Sequence, residues 1–221
     1  MKKILMFLMV VSVSLTFLVF SIERNAYNED YYIRKYEEHD IEELTQKSLE
    51  ELKPITNNLI LYLKGGENDL LRPHFNEKEI LHMEDVKELF NLARIIKYTG
   101  IIIIILGVYY FRKNKNMVLL AKTFLYGLFL NYILLTIIGF LAYKDFNKYF
   151  TYFHLIFFTN DLWILDPNRD LMIQMLPEEF FIGMATNIVI SFLVYLAILQ
   201  IVSYLYIRKD KIKNETVIRK S

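Results

Sequence analysis

Four stretches of this chain are apolar over about the twenty residues needed to cross a hydrocarbon core. They run from Ile4 to Phe20, from Ala93 to Phe111, from Met117 to Tyr143 and from Phe181 to Ile207. The first also has the shape of a signal peptide, with Val19 and Ser21 small enough to permit cleavage after Ser21. Its apolar run of 17 residues exceeds the usual 7–15 of such a peptide, and no cluster of small residues follows. We therefore read it as a retained span. The chain then divides into 1–21 (first span), 22–92 (outer domain), 93–111 (second span) and 112–116 (turn). The third span at 117–143, an outer loop at 144–180, the fourth span at 181–207 and a tail at 208–221 complete it.

Orientation follows from the lysines and arginines beside the spans. Lys2 and Lys3 precede the first, and Arg112, Lys113 and Lys115 fill the turn between the second and third. Arg208, Lys209, Lys211, Lys213, Arg219 and Lys220 follow the last. Alternating spans bring all of these to one side, so both termini are expected in the cytoplasm. The segments 22–92 and 144–180 then face out, the first carrying the acidic group Glu37, Glu38, Asp40, Glu42, Glu43, Glu50 and Glu51.

Within the first outer segment, Ile41, Leu44, Leu49 and Leu52 predict a helix over Asp40–Leu52, stopped by Pro54. Leu59–Leu63, followed by Lys64-Gly65-Gly66, fits either a strand entering a turn or a short buried helix. Five residues do not separate these periods. Asn76 with Glu79 three positions later marks a helix start. Ile80, Val86, Leu89, Phe90 and Ala93 then keep a helical period, so one helix is expected from Glu77 into the second span. In the second outer segment Tyr149–Leu165 is dense in aromatics but too short and polar-interrupted to span, which suits the membrane–water boundary. The expected fold class is an all-α membrane protein: four transmembrane helices, a small extracytoplasmic domain with at most one short strand pair, and an interfacial aromatic segment.

Composition narrows the function. Hydrophobic residues make up 54% of the chain and mean hydropathy is +0.26, too apolar for an ordinary soluble domain. The absence of cysteine removes disulfides, thiolate metal ligands and a cysteine nucleophile. A formal net charge of +1 argues against a nucleic-acid partner, and the basic tail is explained by topology and anionic headgroups.

Two histidines stand out. His82 and His154 each sit among apolar residues near a carboxylate, just outside a span, and both on the outer side. A histidine between Phe153 and Leu155 loses hydration unless it has a partner or a task. His39 and His74 lie in polar surroundings and are expected to be surface residues. The only serine of the outer segments is Ser48, with Ser21 at their margin, and Thr159 lies close to His154. Threonine rarely attacks an acyl group without special activation, so general acid–base work on a substrate that brings its own nucleophile fits better. The competing readings are a metal-dependent membrane hydrolase, its metal held by His82, Asp85, His154 and Asp161, and a non-enzymatic four-span sensor or scaffold that binds lipid or peptide. Neither H-E-x-x-H nor another tight ligand spacing is present, and no cofactor is expected.

The stretches Glu79–Lys87, Phe153–Trp163, Asp170–Ile173 and Pro177–Phe181 resemble the lipoprotein intramolecular transacylases, small four-span bacterial membrane proteins. With the length and span order, the resemblance extends over essentially the whole chain. It implies transfer of an acyl chain from the sn-2 oxygen of a lipoprotein's S-diacylglyceryl group to the α-amine of the same cysteine. The substrate partner is the diacylated lipoprotein N-terminus, within the membrane lipid. His82 and His154 would be the two essential histidines, His154 as base and His82 as donor. Asp85 is a candidate to orient His82, and Asn160, Asp161 and Trp163 are candidates to hold the substrate head.

Overall fold

The computed structural model describes residues 2–218, so Arg219 and Lys220 of the basic tail lie outside the described residues. Helices α1 (Lys2–Ala26), α2 (Glu29–Glu38), α3 (Ile41–Thr45), α4 (Leu49–Leu63) and α5 (Glu77–Lys113) form the first half. Helices α6 (Met117–Gly127), α7 (Phe129–Lys144), α8 (Phe146–Phe157), α9 (Leu171–Met175) and α10 (Glu178–Ile218) follow. No strand occurs among the described residues, so Leu59–Leu63 is the end of α4. Four helical stretches are long and apolar enough to cross a membrane: Lys2–Ala26, Glu77–Lys113, Met117–Lys144 and Glu178–Thr216.

The chain divides into two compact units, each described by itself. One holds the stretch up to Ser21, Ile95–Gly139, and the stretch from Val189 onward. Its core is Met9, Val13, Phe111, Leu120, Phe124, Leu128, Phe192 and Leu196. Large aliphatic side chains such as Ile102, Ile105, Ile133, Ile137, Ile198 and Ile201 point outward. That is the pattern of helices whose solvent is lipid, where every backbone polar group must be satisfied internally.

The third span departs from the expected single helix. It breaks at Leu128 between α6 and α7, and two side chains donate to carbonyls beside the break. Gln200 Nε2 donates to the Leu125 carbonyl at 2.9 Å while its Oε1 accepts Tyr132 Oη–H at 2.8 Å. Asn131 Nδ2 donates to the Leu128 carbonyl at 3.1 Å and to Ser14 Oγ at 3.0 Å. An interruption in hydrocarbon persists only with such replacements.

The second unit comprises Ile22–Arg94 and Phe140–Ile188. Its core gathers Tyr31, Tyr32, Tyr36, Ile41, Leu52, Ile55, Leu59, Tyr62, Met172, Met175 and Phe180. The buried phenols are each partnered: Tyr31 Oη donates to the Phe180 carbonyl at 2.7 Å and Tyr32 Oη to the Ala26 carbonyl at 2.9 Å. Tyr36 Oη lies 2.8 Å from Thr56 Oγ1. The expected helix over Asp40–Leu52 is instead two, because Ser48 and Glu51 form a reciprocal capping box that starts α4 afresh. Pro54 lies inside α4 rather than ending it. Pro54 is exposed, as is Glu50, whose carbonyl would otherwise accept the amide that proline lacks. At the other end, the Arg94 guanidinium donates to the Leu63 and Lys64 carbonyls at 3.2 and 2.9 Å, closing the end of α4 against α5.

The start of α5 is as expected. Glu79 N–H donates to Asn76 Oδ1 at 3.1 Å, and Asn76 N–H donates to Glu79 Oε2 at 2.8 Å. The helix then runs without a break from Glu77 to Lys113. The aromatic segment forms α8, which buries His154 and leaves Tyr152, Leu155, Ile156 and Phe157 exposed.

Candidate active site

His82 and His154 come from elements far apart in sequence and meet within the second unit. His82 lies on the second turn of α5, and His154 near the end of α8. Their ring centroids are 6.2 Å apart and both residues are 8% exposed. At that spacing a single small reacting group can touch both rings.

His154 sits in a cage of aromatic rings. Trp163 stacks on it at 4.7 Å and 26°, Phe150 meets it edge-on at 4.5 Å, and Phe153 and Phe158 lie at 5.5 and 5.6 Å. Phe158 also packs edge-on against His82 at 5.4 Å, so one ring buttresses both imidazoles. The Nδ1 of His154 is 2.7 Å from the Phe150 carbonyl. A carbonyl only accepts, so Nδ1 carries the proton and the Nε2 lone pair remains for a substrate. Burial pushes the His154 pKa down, opposed by this bond to Phe150.

His82 is pushed further, to about 4, chiefly by burial and then by the neighbouring His154. The charge of Asp85 opposes the shift. Burial thus disfavours the charged form of both imidazoles. His82 Nδ1 is buried with no hydrogen-bond partner among the described residues.

The remaining expected site residues fall on one loop and one helix face. Asp85 makes its hydrogen bond to Asn160, whose Nδ2 donates to Asp85 Oδ2 at 2.8 Å. Its relation to His82 is electrostatic. Asn160 Oδ1 also accepts Leu162 N–H at 3.1 Å, which folds the start of the loop that carries Trp163. Asp161 is exposed on that loop, its carbonyl accepting Ile164 N–H at 3.2 Å. His39 and His74 are half-buried rather than surface residues, and His74 Nε2 lies 3.3 Å from Asn58 Nδ2. Among the described residues no group of three or more His, Cys, Asp or Glu side chains is arranged to hold a metal ion.

Sequence reasoning missed a carboxylate network one turn before His82. Glu79 is 1% exposed, and its Oε1 accepts Met172 N–H at 2.6 Å. Asn76 Nδ2 donates to Asp170 Oδ1 at 2.8 Å, while Asp170 Oδ2 accepts Asp166 N–H at 2.7 Å. Lys78 Nζ bonds the Ile164 carbonyl. Together with Asp85–Asn160, these bonds fasten the segment from Asn160 to Met172 to the first turns of α5. The capping pair was legible; its second use as a long-range tether was not.

A stability prediction follows from His82. In the unfolded chain its pKa returns to about 6.5, so between pH 6.5 and 4 the unfolded state binds more protons and folding weakens as pH falls. His82→Asn should remove roughly 3 kcal/mol of the stability lost between pH 7 and pH 4. Thermal or denaturant unfolding of both proteins in detergent across that range checks this. Equal losses would contradict the burial of a neutral His82.

Comparison with known proteins converges on one family. The profile of the lipoprotein intramolecular transacylase Lit matches residues 7–181. No curated protein matches the chain. Among solved structures it is similar to the membrane integral lipoprotein intramolecular transacylase Lit from Bacillus cereus, with a TM-score of 0.80 and 25% identity over 96% of this chain and 97% of that one. Two variants of that enzyme, with one histidine replaced by arginine or by alanine, each match with a TM-score of 0.82 and 25% identity. The match covers 96% of this chain in both cases, and 95% and 96% of the respective variants. Four apolar helices, an all-α fold and a match over most of its length establish that this chain belongs to the lipoprotein intramolecular transacylase family.

Proposed function

We propose that this chain moves the sn-2 acyl group of a lipoprotein's S-diacylglyceryl-cysteine to the α-amine of the same cysteine. The product is the N-acyl-S-monoacylglyceryl form. The substrate is the N-terminus of a diacylated lipoprotein held in the bacterial cytoplasmic membrane. Both ends of the chain lie in the cytoplasm and the site opens on the outer side, as the positions of lysine and arginine require.

The observation that carries this reading is the pairing of two buried imidazoles 6.2 Å apart. In the reaction the amine nitrogen bonds to the ester carbonyl carbon while His154 Nε2 takes its proton. The carbonyl electrons move to oxygen. When the carbonyl re-forms, the bond to the sn-2 oxygen breaks and that oxygen receives the proton, with His82 donating a hydrogen bond to it. Both imidazoles end as they began.

No enzyme nucleophile is required, because the substrate carries amine and ester in one molecule and needs chiefly orientation and proton transfer. Ser48 Oγ is bonded to Glu51 at the start of α4, and Thr159 is exposed. Asp85 and Asn160 hold the loop against α5, and Asp161 faces solvent where a lipoprotein head would arrive.

Co-expression with a diacylated lipoprotein in a host lacking N-acylation provides the test. Mass spectrometry of the N-terminal lipopeptide should find the acyl chain on nitrogen with one chain left on the glyceryl group. An unaltered diacylglyceryl peptide would refute the proposal.

A further inference from the structure

Four buried side-chain atoms among the described residues have no hydrogen-bond partner: Thr16 Oγ1, His39 Nε2, His82 Nδ1 and Trp163 Nε1. The last two belong to one cluster of rings, since Trp163 stacks on His154 and His154 faces His82. The indole nitrogen only donates. Burying it without an acceptor is unfavourable, a penalty that a phenylalanine would not carry. Phe150, Phe153 and Phe158 already wall the same histidine with plain rings. The loop is also held on both sides of Trp163, by Asn160 on Asp85 and by Lys78 on the Ile164 carbonyl. A ring that carries a buried, unpartnered donor is thus held stacked on the His154 imidazole.

We propose that Trp163 is a catalytic hydrogen-bond donor, its Nε1–H donating to the acyl carbonyl oxygen of the substrate as that oxygen becomes the oxyanion. This rests on the acyl-transfer reading above and adds a third part to it. The amine–carbon bond forms, and the carbonyl electron pair moves to the oxygen held by Trp163. It returns as the bond to the sn-2 oxygen breaks, while the amine proton passes through His154 to that leaving oxygen. Trp163 gains and loses no proton. The two histidines are thereby left for proton transfer and the leaving group. A donor in a desolvated site is worth most where charge develops during the reaction.

The test uses the full chain in lipid nanodiscs with a synthetic S-diacylglyceryl-cysteinyl peptide, the product followed by mass spectrometry. Trp163→Phe keeps a ring against His154 and removes the N–H. Replacement of Trp163 by benzothienylalanine keeps the bicyclic shape and likewise removes it, so packing is preserved in at least one variant. Each should lower kcat roughly 10²-fold, with KM and the pH profile unchanged. Native kcat in either folded variant would overturn the proposal. So would a loss expressed in KM or as a displaced pH profile, which would make Trp163 a packing residue. Failure of the native protein to form any N-acyl product would instead refute the acyl-transfer reading.

Discussion

Replacing His154 by alanine is expected to slow N-acyl product formation by about 10²–10⁴-fold, the range for loss of a positioned general base. The reason is local. His154 Nδ1–H is committed to the Phe150 carbonyl at 2.7 Å, which leaves Nε2 as its basic atom, the one that takes the amine proton in the proposed mechanism. Burial lowers its pKa, so the native acid limb should lie below the ordinary histidine range near 6.5. In His154→Ala the residual rate should lack that limb. His82→Ala should also be severe, and the double variant little worse than the more damaging single one, because in the proposed mechanism both rings serve one reacting centre. Initial rates with a defined diacyl lipopeptide, measured alongside thermal unfolding of each variant, check these outcomes. A folded His154→Ala protein retaining the native pH profile would show that another group is the base.

The second large effect is expected at Glu79, which touches neither imidazole. Glu79→Ala strands the Met172 N–H and the Asn76 N–H, each buried or partly so. Leaving a buried donor unsatisfied costs about 1–3 kcal/mol, so the variant should lose roughly 2–4 kcal/mol of stability. Catalysis should fall as well, because the tether holding the segment after Trp163 to α5 is cut one turn before His82. Glu79→Gln retains an acceptor and should recover part of both losses. Burial raises the Glu79 pKa, and repulsion from Asp170 adds to it, against the bonds from Met172 and Asn76. The folded state therefore binds the Glu79 proton more readily than the unfolded one. Its contribution to stability grows as pH falls toward the carboxylate range, opposite in sign to that of His82. Unfolding free energies of native, Glu79→Ala and Glu79→Gln proteins against pH separate the two contributions. A Glu79→Ala protein as stable as native would remove the tether from the explanation.

What could be read from sequence was whatever the environment dictates locally. Lipid enforces span length and apolar composition, so the four crossing segments were legible from Ile4–Phe20 onward. The Asn76 and Glu79 pair satisfies the first turn of α5 within three residues, which placed the start of that helix at Glu77. His154 was conspicuous because Phe153 and Leu155 flank it, and flanking residues are visible without a fold.

The rest depended on partners far along the chain. The break at Leu128 is tolerated because Gln200 reaches the Leu125 carbonyl, 75 residues away. Glu79 finds Met172 across 93 residues, and Asp85 finds Asn160 across 75, so neither target could be foreseen from spacing. Asp85 was expected to orient His82 as its helical neighbour; in the structure it bonds the loop and reaches His82 only through its charge. Pro54 misled because its effect on a helix depends on whether the freed carbonyl faces solvent, which period alone does not tell. Trp163 was legible as an aromatic near His154, but not as a stacked ring with an orphaned N–H.

The most direct measurement follows an isotopic label placed on the sn-2 acyl carbonyl of a synthetic diacylglyceryl-cysteinyl peptide, incubated with the purified chain in lipid nanodiscs. Fragmentation mass spectrometry then locates the label on nitrogen or on glyceryl oxygen. The native protein should carry it to the α-amine, and a folded His82→Ala, His154→Ala double variant should leave it on the glyceryl oxygen. A double variant that transfers the label at the native rate would contradict the assignment of the reaction to these two histidines.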